Sequence, residues 1–383
     1  MTRQIFAVAA DMVFDGETAR PNCAVIVEDG NILALVARSD VPAAVRVAVL
    51  ADGAWLAPGF IDCQVNGGGD VLFNDSPTPE GIASIAAAHR RFGTTSLLPT
   101  LITDSDEKMF AARDAVAAVM PRTPGVLGVH FEGPFLSPEK CGVHDPALMR
   151  APSDAYRELL SSLSGAVTLV TLAPERVPGG FIRALVGGGI RVALGHSMAT
   201  YEQTKAAMAE GLTGFTHLFN AMRPMGAREP GPIAAALECQ SCWVGLIADG
   251  VHVAPAMLRL ALRGMGTPML ITDAMPPVGG TKPRFSLQGR EIFAMDGRCV
   301  TNDGTLAGSC IDMASAVRNC VKLLGVSLTD ALCFASLSPA SFLGVSDRLG
   351  RLAPGYRADM VALDPKDVRV LATWVAGNFA VSK

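Results

Sequence analysis

Val126-Leu127-Gly128-Val129-His130-Phe131-Glu132-Gly133-Pro134 is an apolar run that ends on a carboxylate and is then halted by a glycine and a proline. A short apolar stretch bounded by turn residues reads as a buried strand, Val126 to Glu132. A carboxylate placed at its end has to be paired or coordinated, because an isolated buried charge costs several kcal/mol. The same signature recurs on both sides of it. Strand candidates are Trp55 to Asp62, Thr94 to Thr100, Val167 to Ala173, Ile190 to His196, Gly214 to His217, Val244 to Asp249 and Met269 to Asp273. Alanine-rich stretches of helical period fall between them: Pro79 to Phe92, Lys108 to Met120, Phe181 to Val186, Thr200 to Glu210 and Pro255 to Arg263. This alternation predicts an α/β fold, a (β/α)8 TIM-like barrel over residues 55–350. An open doubly wound sheet is the alternative, but Asn66-Gly67-Gly68-Gly69-Asp70 lacks the G-x-G-x-x-G spacing of a dinucleotide fingerprint.

The chain ends follow another pattern. Short strand-like runs at Ile5 to Ala9, Cys23 to Val27, Ile32 to Val36 and Arg46 to Leu50 are broken by turns such as Asp29-Gly30 and Asp52-Gly53. Similar runs return at Met360 to Leu363 and Val368 to Val375, so residues 1–54 and 351–383 are expected to pair into one satellite sheet. Phe285 to Val300 reads as a hairpin around Gln288-Gly289 and Asp296-Gly297, an insertion near 283–302.

Composition narrows the functional classes. Of the 383 residues 50% are hydrophobic and 18% charged, with mean hydropathy +0.34, which suits a large buried core and excludes a disordered chain. The balance of 32 basic against 36 acidic residues gives −4, with no long run of like charge, and argues against nucleic acid as a partner. No uncharged apolar stretch reaches the roughly 18 residues of a membrane span. The apolar run Ile5 to Ala10 meets Asp11 before a signal-peptide core develops. Nine scattered cysteines and 16 methionines fit a reducing interior, so a cytoplasmic location is expected.

Chemistry-bearing side chains collect at the C-terminal ends of the strand candidates: Asp62, Glu132, His196, His217, Asp249 and Asp273. In a barrel those ends converge on one mouth, although any one of these residues could simply begin a loop or cap a helix. Glu132, His196 and His217 make a one-carboxylate, two-imidazole set that leaves a coordination position open. Zn²⁺ suits it best, with Fe²⁺ or another divalent ion as the alternative. An ion so held acidifies bound water to a pKa of about 7. Asp273, after Leu270-Ile271-Thr272, is the candidate for proton transfer to a leaving amine; its other reading is an N-cap.

Taken together, Pro58-Gly59-Phe60-Ile61-Asp62, His130-Phe131-Glu132-Gly133-Pro134-Phe135, Lys140-Cys141-Gly142-Val143-His144, Gly195-His196-Ser197, Thr216-His217-Leu218-Phe219-Asn220-Ala221-Met222, Asp249-Gly250-Val251-His252 and Thr272-Asp273-Ala274 resemble the N-acetylglucosamine-6-phosphate deacetylases of the amidohydrolase superfamily. The resemblance runs over nearly the whole chain. It implies a barrel flanked by a small β-sandwich from both termini, and hydrolysis of N-acetyl-D-glucosamine 6-phosphate to glucosamine 6-phosphate and acetate, in amino-sugar catabolism or cell-wall recycling. It further implies that Glu132, His196 and His217 hold the metal and that Asp273 transfers the proton. Val143, His144, Asn220, Ala221, Arg228 and His252 would contact the sugar phosphate, and Leu306, Ala307 and Gly308 would close over it. Such enzymes are homodimers, and Arg228 is the candidate to reach a partner's phosphate site.

Taken alone, Arg228 in its loop from Gly226 to Gly231 would be a solvated arginine, and His144 and His252 ordinary loop histidines. A guanidinium nevertheless suits phosphate through its paired donors. Where many amidohydrolases carry His-x-His, this chain has Gln64-Val65-Asn66. Amides are poorer ligands than imidazole, so one firmly held metal is expected, with any second ion weak or absent. Rival readings are an amidohydrolase of cyclic amides or of the galactosamine isomer, and a sugar-phosphate-binding protein without catalysis. Other features take plain readings: Cys239-Gln240-Ser241-Cys242 as two ordinary cysteines, His89 on the flank of its helix, His130 orienting the site or filling an interior layer, and Gly187-Gly188-Gly189 ending a helix.

Overall fold

The computed structural model describes residues 4–161, 163 and 165–381; the outermost positions of the terminal segments, 1–3 and 382–383, lie outside them. Eight strands follow one another in a single parallel sheet: β1 Phe60–Val65, β2 Thr94–Ile102, β3 Gly128–Glu132, β4 Val167–Leu172, β5 Arg191–Leu194, β6 Gly214–Phe215, β7 Trp243–Leu246 and β8 Thr267–Leu270. Helices Pro79–Arg90, Asp106–Val119, Phe181–Gly187, Tyr201–Ala209 and Pro255–Ala261 alternate with the strands as expected. Helices Asp154–Ser161 and Gly231–Glu238 fill two further crossovers, and Met313–Leu324 follows β8 after an insertion.

The sheet closes where β1 meets the segment after β8. Val65 bridges Ala274 in parallel, the Asp273 N–H donates to the Gln64 carbonyl (3.0 Å), and the Asn66 N–H to the Ala274 carbonyl (2.9 Å). Asp62 sits inside this seam with no exposure. Its carboxyl accepts from the Thr272 hydroxyl (2.5 Å) and from the Thr272 and Gln64 N–H groups (3.2 Å each). Burial is the largest influence on that group and pushes it up to about 7, against the pull of the three donors. Asp62 therefore belongs to the barrel wall, not to the cluster at the mouth.

The run Trp55 to Asp62, read above as one strand, is two. Trp55–Pro58 pairs with Ile5–Phe14 and Met360–Asp364 in the terminal sheet, whereas Phe60 opens β1. Gly59 makes the crossing: a Cβ there would lie 2.2 Å from the Thr95 side chain, so only glycine fits. The terminal sheet runs Asn378–Val381, Arg369–Val375, Met360–Asp364, Trp55–Pro58, Ile5–Phe14, Ala19–Glu28 and Asn31–Ala37, with Arg46–Val49 also on Ile5–Phe14. Val8, Val13, Val25, Leu56, Met360 and Trp374 bring both chain ends into one small core beside the barrel.

The insertion is larger than the expected hairpin. Strands Arg284–Leu287, Arg290–Met295, Arg298–Thr301 and Leu306–Ser309 form an antiparallel sheet. Gln288 and Asp296 take positive φ (50° and 51°) at the two turns marked by Gln-Gly and Asp-Gly. Its apolar face, with Leu287, Ile292, Cys299 and Ala307, packs on Ile102, Val143 and Met275 at the barrel mouth.

Two single-residue expectations need correction. His89 does not lie on the helix flank; it is fully buried, with Nε2 2.9 Å from the Gly67 carbonyl. Positions 82, 85, 86 and 89 share one helical face, so the imidazole turns inward with Ile82, Ile85 and Ala86. Nor are Cys239 and Cys242 independent: the turn after helix Gly231–Glu238 brings their Cα atoms to 5.5 Å and they form a disulfide. His130 fills an interior layer, its ring nitrogens 3.2 Å from the Thr100 hydroxyl and 2.8 Å from that of Thr171. Gly188 caps helix Phe181–Gly187, within the glycine triplet read as a helix end. Among the described residues no helix is long and apolar enough to cross a membrane.

Because Asp62 binds its proton more tightly folded than unfolded, its contribution to stability is full below about pH 4 and is lost as pH rises to about 7. Relative to Asp62→Asn, the wild-type protein should lose a few kcal/mol of unfolding free energy across that window in denaturant titrations. A constant difference from pH 4 to pH 7 would contradict the assignment.

Candidate active site

Each group at the mouth is delivered by a strand end. Glu132 is the last residue of β3; His196 follows β5 by two residues and His217 follows β6 by two. Three residues of this mouth leave extended geometry for positive φ: His196 (47°), His217 (33°) and Asp273 (52°). Such conformations are sparsely populated by residues other than glycine and persist only where the surroundings enforce them. Here the backbone is held: the His196 carbonyl accepts from Ser137 N–H (2.9 Å), Leu218 N–H donates to Gly245 (2.8 Å), and the Asp273 carbonyl accepts from Ser309 N–H (2.9 Å).

The result is a tight triangle. Glu132 Oε1 lies 2.9 Å from His217 Nε2 and 3.2 Å from His196 Nε2, and the two Nε2 atoms are 3.1 Å apart. Metal–ligand bonds of about 2.0–2.1 Å at tetrahedral angles separate ligand atoms by roughly 3.3 Å, so these three could hold one divalent ion with a position open. His196 Nδ1 is turned to the Lys140 carbonyl (2.7 Å), which fixes the ring and leaves Nε2 for coordination. All three side chains are buried. Burial alone would raise the Glu132 carboxyl, but the two imidazoles set against it outweigh burial and hold it well below the usual range. The same carboxylate overcomes burial at His217 and raises that imidazole.

Asp273 faces this cluster through two amides. Gln64 Nε2 donates to Glu132 Oε2 (3.0 Å) and to Asp273 Oδ1 (3.1 Å), and Asn66 Nδ2 donates to the same Oδ1 (2.6 Å). Burial first and the Glu132 charge second push Asp273 up to about 6. A carboxyl there is suited to accept and return a proton near neutrality. It is no N-cap, since no helix starts after it.

A cavity of about 220 Å³ opens over these groups. Val143, His144, Asn220, Ala221, His252, Leu306 and Gly308 line it. Gly308 lets its strand lie against Asp273, since a Cβ there would stand 2.9 Å from the Asp273 carbonyl. Two anticipated residues do not line it. Ala307 alternates inward and is buried in the insertion's core. Arg228 is exposed on its loop, outside the cavity.

His144 takes its orientation from Thr103, whose N–H donates to Nδ1 (3.4 Å) beside a 2.9 Å contact with the hydroxyl. Nδ1 is thus the acceptor and Nε2 carries the proton. Burial, then the neighbouring His196, pushes His144 down to about 3, so it is neutral at physiological pH. Thr103 escaped the sequence reading because its contact spans 41 positions with no local signature. Gln288 escaped for the same reason: it was read only as a turn residue. Its side chain donates to the Thr103 carbonyl (2.6 Å) and accepts from Asp145 N–H (3.2 Å), pinning both flanks of His144. Asp249, grouped above with the strand-end acids, pairs with His252 and does not touch the triangle.

A parallel barrel with imidazole and carboxylate donors on its strand ends is an arrangement suited to hydrolysis through a bound divalent ion. Residues 55–380 match the amidohydrolase family, and this chain belongs to it; it is a metal-dependent amidohydrolase acting on an amide. It is 42% identical over 363 residues to N-acetylgalactosamine-6-phosphate deacetylase of Shewanella sp. (strain ANA-3), covering 93% of this chain and 91% of that protein. It is 34% identical to N-acetylglucosamine-6-phosphate deacetylase of Haemophilus influenzae, covering 93% and 94%. The crystal structure of N-acetylglucosamine-6-phosphate deacetylase from Pasteurella multocida superposes with a TM-score of 0.95 at 34% identity, over 99% of this chain and 100% of that one.

If the triangle holds the ion, Glu132→Ala and His217→Ala should each weaken metal affinity by more than the roughly 10- to 100-fold typical of losing an outer-shell partner, leaving bound divalent metal well below one equivalent. Elemental analysis of the purified proteins checks this, and a full equivalent in either variant would remove that residue from the ligand set.

Proposed function

We propose that this chain hydrolyses the acetamide of N-acetyl-D-glucosamine 6-phosphate to glucosamine 6-phosphate and acetate. Glu132, His196 and His217 hold a single divalent ion, Zn²⁺ by preference, since two imidazoles and one carboxylate are its usual donors. When bound, that ion supplies Lewis-acid polarisation and acidified water. The observation that carries the reading is the convergence of the Glu132–His196–His217 triangle and Asp273 on one cavity.

Asp273 takes the proton of the attacking water and returns it to the departing nitrogen. Its amide partners hold Oδ1, and its proton affinity near neutrality serves both directions. His144, neutral and with its proton on Nε2, donates to the acetyl oxygen as negative charge develops there. Val143, Asn220, Ala221 and His252 seat the sugar phosphate, and the Leu306-Ala307-Gly308 strand covers it, Ala307 acting from beneath by anchoring that strand.

The phosphate supports a homodimer. Among the described residues that line the cavity there is no lysine or arginine, which is compatible with a guanidinium reaching the phosphate from outside it. Arg228 of the partner subunit supplies it, in keeping with the exposure of that loop. The reaction belongs to cytoplasmic amino-sugar catabolism or cell-wall recycling. The 42% identity to an N-acetylgalactosamine-6-phosphate deacetylase favours a second substrate, the galacto epimer, carrying the same acetamide and phosphate.

Acetate release from both epimers should be abolished by chelation and restored by Zn²⁺. Asp273→Asn should lower kcat by about 10²- to 10⁴-fold while the metal content stays near that of wild type. Near-normal turnover in that variant would refute the proton-transfer role.

A further inference from the structure

Resting on the assignment of His252 as a substrate contact, we infer that Asp249 is a positioning residue that fixes the ring and the proton placement of His252. Asp249 lies beyond the end of β7, where the Ala248 carbonyl before it is held by Asn319 Nδ2 of helix Met313–Leu324 (2.9 Å). One carboxylate oxygen, Oδ1, accepts from the Val251 and His252 N–H groups (2.8 and 2.9 Å) and shapes the turn. The other, Oδ2, meets His252 Nδ1 at 2.5 Å. The two side chains are 5% and 6% exposed, so neither exchanges its partner readily for water.

An ionised carboxylate offers only acceptors, so His252 Nδ1 must carry a hydrogen in every state that keeps this contact. Burial works against the charged carboxylate, but the His252 contact and the two backbone donors prevail and hold Asp249 below its ordinary range. The neutral form with its proton on Nε2 is thereby excluded. His252 lines the cavity, and its Nε2 is buried with no hydrogen-bond partner among the described residues. It is the atom left for substrate, in a ring that cannot rotate without breaking the contact to Asp249. His144 is set the opposite way, with Nδ1 accepting and the proton on Nε2. The cavity therefore presents two histidines whose proton placements are fixed by different neighbours, Thr103 and Asp249.

Asp249→Asn separates this role from a merely structural one. The amide oxygen can keep both backbone hydrogen bonds of the turn, while the amide NH₂ faces Nδ1 as a donor and drives the proton to Nε2. The logic is that of an orienting carboxylate in a triad. The test uses the metal-loaded full-length protein with ¹⁵N-histidine; the chain has six histidines, and His252→Gln identifies the relevant signal by its loss. Wild type should show a protonated Nδ1 for that residue, and Asp249→Asn a bare Nδ1 with protonated Nε2. With N-acetylglucosamine 6-phosphate, Asp249→Asn should raise KM by about tenfold to a hundredfold with kcat within about threefold, at an unchanged melting temperature.

A wild-type spectrum with a bare Nδ1 on His252 overturns the inference without need of the Asp249 variant, should that variant fold poorly. So does an Asp249→Asn protein with wild-type KM and an unmoved ¹⁵N pattern. If His252→Gln itself leaves KM unchanged, the substrate contact fails and the inference with it; an intact Nδ1 proton in wild type then marks the fault as lying in the contact, not in the pairing.

Discussion

A carboxylate buried at the end of an apolar strand cannot stand alone, and the architecture of the mouth follows from that requirement. Glu132 is 2% exposed, and its desolvation has to be offset by groups brought from elsewhere in the chain. A parallel barrel meets the demand because every strand ends at the same face, so β3, β5 and β6 can contribute one group each to a single point. The offset is mutual. Two imidazole nitrogens only 3.1 Å apart, both directed at one carboxylate oxygen, form an arrangement that a divalent ion would complete.

The amide pair that replaces imidazoles on β1 acquires a purpose in the same terms. Gln64 has two amide hydrogens and gives them to two carboxylates, Glu132 and Asp273, which would otherwise repel each other across the mouth. A second cation in that place would bind both acids more strongly but would also depress the proton affinity of Asp273. Neutral amides orient Asp273 and leave it near 6, where it can exchange protons. On the proposed reading, the amides thus keep two tasks apart: polarisation, which an ion on the triangle would supply, and proton exchange, which Asp273 would carry.

Legibility from the sequence tracked the range of the interactions involved. Strand and helix alternation, the chain ends returning to one sheet, and the placing of Glu132, His196, His217, Asp249 and Asp273 at or just beyond strand ends are local patterns that stand in the structure; Asp62, read as a strand end, lies inside β1 instead. Where a feature depended on packing against a distant segment, the pattern fell silent. The break at Gly59 is invisible until Thr95 is placed beside it. Thr103 and Gln288 look like ordinary polar loop residues until His144 lies between them. His89 was the exception, since its helical spacing with Ile82 and Ile85 already pointed inward.

The insertion shows why such silent residues matter to chemistry. An apolar sheet packs over the mouth, and its apolar contacts with Ile102, Val143 and Met275 attach it to the segments that carry site residues. Gln288 then converts that packing into orientation. By holding the Thr103 carbonyl and the Asp145 N–H, it fixes both sides of His144, whose Nδ1 reads the Thr103 N–H and whose ring must keep Nε2 pointed as a donor. A donor that is preset needs no reorganisation when charge builds beside it, and for a buried group such as His144 that advantage is larger than it would be in water. An element that looks like an ornament on the barrel therefore determines how the His144 imidazole is set against the cavity.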